Sequence, residues 1–246
     1  MTHTEDPASY GDRWAAVYDE EHASLDPTPA VNLLAELADG GPVLELGIGT
    51  GRVAIPLLRR GVEVHGIEAS QAMVAQLRKK LHGEELPVTL GDMADVRVDG
   101  SYEVVFAVFN TFFSLLEQDR QMTCFANVAR VLAPSGVFVL ECAVPDTSRF
   151  ENGGQDVRVW GVEPHVVRIE AAVHDRDNQR VRAQHLAVRS EGIQILPVAY
   201  RYVWPSELDL MAAMGGFRLR HRWSGWTGQP FTGSSRAHVS VYERAR

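Results

Sequence analysis

From Val43 to Arg52 the chain reads Val-Leu-Glu-Leu-Gly-Ile-Gly-Thr-Gly-Arg. A short apolar strand here runs straight into three glycines at every second position, and Arg52–Arg60 continues with helical character. Glycine tolerates left-handed backbone and leaves open the space a side chain would fill. Such a strand–turn–helix lets backbone approach a ligand closely, and it predicts amide N–H groups presented at a helix N-terminus. The segments that follow keep the alternation. Val62–Ile67 reads as a strand and Ser70–Leu81 as a helix with Ser70 as its N-cap. Val88–Leu90 and Tyr102–Phe109 read as strands, Asp119–Leu132 as a helix ended by Pro134-Ser-Gly136, and Val137–Ala143 as another buried strand. Near-continuous apolar strands separated by amphipathic helices predict an α/β chain with a doubly wound, mostly parallel sheet.

Flanking segments differ. Residues 1–9 are polar and expected to be loose. Trp14, Val17 and Tyr18 sit at helical spacing within Tyr10–Glu21, and a second helix is expected over Ala30–Ala38. After Pro145 four strands follow without a helix: Val157–Trp160, His165–His174, Val181–Arg189 and Ile193–Val203. In the second, Val167, Ile169, Ala171 and Val173 alternate with Arg168, Glu170 and His174, which predicts a strand with one wet face. Residues 175–179 form the expected turn. The doubly wound pattern then resumes with a helix over Ser206–Met214, capped by Ser206, and strands over Phe217–Trp223 and Ala237–Tyr242. The expected organisation is N-terminal helices over 1–39, a core of 40–150 and 205–246, and an antiparallel β insert over 151–204.

Composition narrows the partners. With 45% apolar residues in 246, the chain can build a core without disulfides or a structural metal. Lys plus Arg number 24 against 32 Asp plus Glu, a net charge of −8. With no basic stripe interleaved with aromatics, that argues against nucleic acid as a partner. Cys124 and Cys142 lie in apolar runs and read as unbridged core residues, which suits a reducing cytoplasm. The polar start and the absence of any apolar run of about eighteen residues predict a soluble, unprocessed chain with no membrane partner.

Counted from Gly47, the dinucleotide fingerprint G-x-G-x-x-G needs a glycine where Arg52 stands. Glu45 at the strand end would repel a pyrophosphate but not a ligand carrying an ammonium and a sulfonium. The pattern E-x-G-x-G-x-G resembles the first motif of class I S-adenosylmethionine-dependent methyltransferases. That resemblance implies a seven-stranded Rossmann-like sheet, with S-adenosylmethionine held around Glu45, Gly47, Gly49 and Gly51. By the same resemblance Glu68 bonds both ribose hydroxyls and Asp92 lies near the adenine amine. Met93 then covers the ring, Ala69 and Met73 pack its other face, and Phe109 joins the cofactor residues. The likeness rests on motifs over residues 40–145 and on pattern alone over 205–244.

Phe109-Asn110-Thr-Phe112-Phe113 stands where enzymes that methylate planar amines carry N-P-P-Y/F, but both prolines are missing. No acidic cluster marks this strand end, which disfavours metal-dependent catechol-type O-methyltransferases, and no metal site is expected. Tyr10-Gly-Asp-Arg13-Trp14-x-x-x-Tyr18-Asp19 resembles the lid helix of small-molecule N-methyltransferases acting on aminosugars and lincosamide-type antibiotics. The likeness implies that Tyr10 and Tyr18 approach the methionine part of the cofactor and the acceptor. On a continuous helix the two would lie within roughly 80° of each other. Phe113 would form the opposite apolar wall, and Trp14 would staple the helix to the core.

Methyl transfer from a sulfonium is an in-line displacement, so alignment, desolvation and the handling of one proton are the protein's share. Tyr10, Tyr18 and Phe113 are the catalytic candidates. His165, His174, His185 and His221 form no dyad by spacing and read as exposed strand residues. The expected acceptor is a small-molecule amine in natural-product tailoring. An O-methyltransferase on a hydroxylated small molecule and a non-catalytic S-adenosylmethionine-binding protein are the alternatives. The insert could pair two subunits edge to edge, or it could close over a pocket.

Overall fold

The structure, a computed structural model, describes residues 6–245. Two short helices open it, α1 (Ser9–Trp14) and α2 (Tyr18–Glu21), where one continuous helix was expected. The chain turns at Ala15–Val17, and Val17 takes φ −121° in place of a helical value. Of the nine residues expected to be loose, 1–5 lie outside the described residues and Ser9 already begins a helix. The chain continues through α3 (Thr28–Ala38), β1 (Val43–Leu46), α4 (Ala54–Leu58), β2 (Val64–Glu68), α5 (Gln71–Arg78), β3 (Val88–Leu90), β4 (Tyr102–Ala107), α6 (Gln118–Val131) and β5 (Leu132–Ala143). Four strands follow, β6 (Gln155–Glu163), β7 (Val166–Asp175), β8 (Arg180–Arg189) and β9 (Gly192–Arg201). α7 (Pro205–Met214), β10 (Phe217–Trp223) and β11 (Ala237–Arg244) close the described chain.

Seven strands form one sheet in the order β3-β2-β1-β4-β5-β11-β10, with β11 running against both its neighbours and the rest parallel. Both faces are covered, which is why these strands are apolar at successive positions. Val104, Phe106, Val137, Val139, Val239 and Val241 pack with α3 and α4 residues on one face. Val105, Phe138, Leu140 and Tyr242 pack with α6 and α7 residues on the other. Phe125 of α6 centres that second layer, with Phe112, Phe138, Phe217 and Tyr242 edge-on at 5.6, 5.2, 5.9 and 5.8 Å. Cys124 and Cys142 are buried and unbridged.

Two local expectations are corrected. Pro134-Ser-Gly136 does not separate helix from strand. Tyr102 pairs with Leu132 and Val104 with Val137, so these residues are a bulge inside β5. Ser206 does not cap α7 either, because Pro205 takes the first helical position and Trp204 becomes the N-cap. Ser70 does cap α5, accepting the Met73 N–H at 3.1 Å.

β6, β7, β8 and β9 form a separate antiparallel meander. Its wet face is the reverse of what composition suggests. Glu170 and His174 face a cavity against the main sheet, whereas Val173 is 48% exposed on the outer side. Val157, Val159, Val162, Ile193 and Ile195 share that outer exposure. Among the described residues, no helix is long and apolar enough to cross a membrane.

Candidate active site

β1 lies between β2 and β4, so the direction of winding reverses there and a crevice opens beyond the carboxyl ends of β1 and β4. The glycine turn after β1 and the Phe109–Ser114 segment after β4 meet across it. Their approach dictates residue 47: a Cβ on Gly47 would stand 2.4 Å from Thr111 Cγ2, at a backbone φ of +70°. Gly51, at φ +80°, is equally constrained, since a Cβ there would lie 2.3 Å from Leu77 Cδ1.

The expectation of free glycine amides is corrected. Gly47 and Ile48 donate to the Ile67 carbonyl, Gly49 donates to Glu68 Oε2 at 2.8 Å, and Gly51 donates to the Ile48 carbonyl. The helix after the turn begins only at Ala54 and is five residues long. The turn therefore offers close approach and acidic side chains in place of an amide cradle for phosphate.

Those acids stand at successive strand ends. Glu45 is buried, its Oε2 has no hydrogen-bond partner among the described residues, and the Ala54 N–H bonds its carboxylate. Burial pushes its pKa from 4.5 to about 8, with Arg52 opposing the rise and Glu68 adding to it. Glu68 accepts from Ser70 N at 2.9 Å and from Gly49 N, and burial raises its pKa as well. The Ala69 N–H bonds it too, so of a carboxylate's roughly four lone-pair sites about one stays open on Glu68. Asp92 accepts the Ala94 N–H at 2.8 Å and pairs with Arg120 at 2.8 Å, a partner on α6 that sequence spacing did not reveal. Met93 is buried in the core beside α6, and Ala69 is half-buried. Met73 is buried under α1 with Trp14 and Ala15.

α1 reaches Met73 because residue 11 is glycine: a Cβ there would lie 2.4 Å from Ser70 Cβ. Ser70 Oγ donates to Asp12 at 2.6 Å, and the Trp14 indole N–H donates to the Pro197 carbonyl at 3.0 Å. Trp14 thus ties α1 to the insert, as expected of a staple, and also lines the cavity. α2 is held from both sides. Thr50 Oγ1 donates to Asp19 at 2.6 Å, and buried Glu21 pairs with Arg168 at 2.9 Å and Arg189 at 3.1 Å.

Tyr10, Tyr18 and Phe113 line one cavity of about 430 Å³, despite the break between α1 and α2. Burial raises the pKa of both phenols, so they stay protonated at neutral pH. Phe109, at φ +55°, also lines it, and the Arg52 guanidinium lies 5.1 Å from its ring centroid. His22 was not foreseen. Its ring lies 4.4 Å from that of Tyr18 and edge-on to Phe109 at 5.1 Å, on the cavity wall. The far end is polar and belongs to the insert. His174 and His185, expected to be exposed, line it with Glu170, Arg149 and Arg158. The hydrogen bond from His185 (2.9 Å) and the Arg149 ion pair hold the Glu170 pKa at about 2 against its burial. His165 and His221 are exposed.

The methyltransferase-domain family profile matches residues 43–136. The sequence is 28% identical to the cypemycin N-terminal methyltransferase of a Streptomyces species, over 97% of this chain and 99% of that protein. The solved structure of the CcbJ methyltransferase from Streptomyces caelestis is 41% identical with a TM-score of 0.92, covering 98% of this chain and 100% of that one. CalS10, an S-adenosylmethionine-bound amino pentose methyltransferase from Micromonospora echinaspora involved in calicheamicin biosynthesis, shares the fold. Its TM-score is 0.71 at 22% identity, over 93% of this chain and 97% of that one.

Proposed function

The chain belongs to the S-adenosylmethionine-dependent methyltransferases, and from that premise we propose that it methylates an amine nitrogen of a small molecule in antibiotic-type natural-product tailoring. The cofactor supplies an activated methyl group and its leaving group. The residues suit it: buried Glu45 has an unpaired oxygen for a cationic group, and Glu68 keeps an acceptor position for a sugar hydroxyl. Arg52, beside Glu45, suits a carboxylate.

The observation that carries the amine reading is the aromatic wall of Tyr10, Tyr18, His22, Phe109 and Phe113 at the end of β4. An amine arrives as a cation. Aromatic faces attract an ammonium while excluding water, and methylation then needs alignment and loss of one proton. A hydroxyl acceptor would depend far more on a strong base, and the two phenols are too firmly protonated to serve. The full-length relative named for N-terminal methylation of cypemycin supports nitrogen as the acceptor atom. At the polar end, Glu170 and Asp146 stand against Arg149 and Arg158, a balance of charge that suits a neutral hydrogen-bonding scaffold.

On this reading α1 and α2 act as the lid and the insert as the far wall of the acceptor site. The outer apolar face of the insert then fits a second copy of the chain, and two buried unbridged cysteines suit a reducing cytoplasm. The test is incubation with S-adenosylmethionine across amine and hydroxyl panels, with fragmentation mass spectrometry to place the added CH₂. Methyl groups found only on oxygen would overturn the assignment.

A further inference from the structure

A second cavity, of about 150 Å³, is lined by Asp19, His22, Ala23, Leu25, Arg52 and Lys80. Among the described residues, His22 is the one common to both linings. Its ring lies 4.4, 5.1 and 5.7 Å from those of Tyr18, Phe109 and Trp14, which line the large cavity, and it shares the small cavity's lining with Asp19 and Lys80. Its Nδ1 lies 2.9 Å from the Tyr18 carbonyl, which can only accept, so Nδ1 carries the hydrogen. The lone pair is thereby left on Nε2.

We propose that His22 is a catalytic base: its Nε2 takes the proton from the acceptor's ammonium in the large cavity and releases it to solvent through the small one. This rests on the amine reading above. The step balances simply. R–NH₃⁺ gives one proton to Nε2, leaving a free amine and an imidazolium. The nitrogen lone pair then forms the bond to the methyl carbon while the carbon–sulfur pair departs with sulfur. The imidazolium returns its proton to water beside Asp19.

The surroundings keep the ring neutral and ready. Burial lowers its pKa, the bond to the Tyr18 carbonyl opposes this, and Arg52 lowers it further against Glu21, with His185 adding a smaller lowering. Lys80 faces it from the small cavity, where the Asp19 carboxylate pairs with that cation at 2.8 Å. An aliphatic amine free in water has a pKa of about 10.4. The burial that favours neutral His22 also favours a neutral amine, which narrows the gap the proton must cross.

The test compares pH profiles of kcat/KM for wild type and His22→Asn on an amine that wild type methylates, with the product nitrogen confirmed by mass spectrometry. Asparagine can still donate to the Tyr18 carbonyl but cannot take a proton. Wild type should lose activity only on acidification, with its break on the acid side of a free imidazole because burial lowers the His22 pKa. The variant should be slower by on the order of 100-fold at pH 7 and climb with unit slope toward the pKa of the amine itself. His22→Gln should behave alike, and cofactor-induced thermal stabilisation should show that both variants fold and bind. A uniform fall with an unmoved break, or a loss under threefold at pH 7, would overturn the role. Methylation by wild type on oxygen alone would instead remove the amine reading on which it rests.

Discussion

Thr50 donates its hydroxyl proton to Asp19 at 2.6 Å, which joins the middle of the glycine turn to the helix that carries Tyr18. Lys80 reinforces the joint by bonding both the Asp19 carboxylate and the Thr50 carbonyl, at 2.8 and 2.7 Å. Asp19→Ala should therefore loosen α2 from the glycine turn without unfolding the core. Asp19 is half-exposed, so the loss is about 1 kcal/mol, or roughly fivefold in cofactor affinity. Calorimetry should register it, and amide exchange over 18–22 should quicken. No change in either would mean that Glu21, through Arg168 and Arg189, holds the helix alone.

Glu45 gives a pH signature. A carboxyl whose pKa rises from 4.5 in the unfolded chain to about 8 in the fold keeps a proton that the unfolded chain has lost between those values. The ligand-free protein should lose stability as pH rises through that window and level off above it. A cationic group bound beside Oε2 favours the ionised form. At pH 7 cofactor binding should release close to one proton, measurable by calorimetry in buffers of different ionisation heat. Glu45→Gln should bind more weakly and release almost none. Near-zero release by wild type would place the cationic group elsewhere.

The sheet, its winding and the acids at its strand ends were legible because buried parallel strands leave continuous apolar runs that end at marked residues such as Glu45 and Glu68. The insert was harder. Alternation shows that Val173 and His174 lie on opposite faces, but which face turns inward depends on what packs there. Here a polar cavity claims the charged face. The break between α1 and α2 escaped notice because Trp14, Val17 and Tyr18 keep helical spacing across it. His22 could not be found by spacing at all: its position comes from a backbone carbonyl and two cavities that exist only after folding.

The outer face of the insert predicts an assembly. Val157, Val159, Val162, Ile193 and Ile195 are 72, 59, 74, 61 and 58% exposed. Their combined area, on the order of 600 Å² per chain, approaches the ~800 Å² a side of a stable interface, and an isologous pair would bury the same patch twice. Light scattering behind size exclusion should find a dimer at micromolar concentration. Val159→Lys with Ile195→Lys should give a folded monomer. A monomeric wild type would leave the face uncovered and the pairing wrong.

The tyrosines and Phe113 separate orientation from acid–base chemistry. Both phenols are raised by burial, Tyr10 further by Tyr18 and Glu68, while Arg52 pulls Tyr18 back. Neither ionises near neutrality, so a hydroxyl that matters must donate a hydrogen bond. Tyr10, stacked on Trp14 at 5.4 Å, is held rigidly enough to orient an acceptor. Tyr10→Phe should lower kcat about tenfold, the value of one neutral hydrogen bond, with the pH profile unmoved. Tyr18→Phe breaks the contact with Arg52, so its effect should fall mainly on the KM for the cofactor. Phe113, 3% exposed in the core yet on the cavity wall, acts by size, and Phe113→Leu should admit bulkier acceptors. Steady-state kinetics on a graded amine series decides all three. Wild-type constants in both phenylalanine variants would show that the rings only exclude water, and alignment would then rest on Phe113 and the glycine turn.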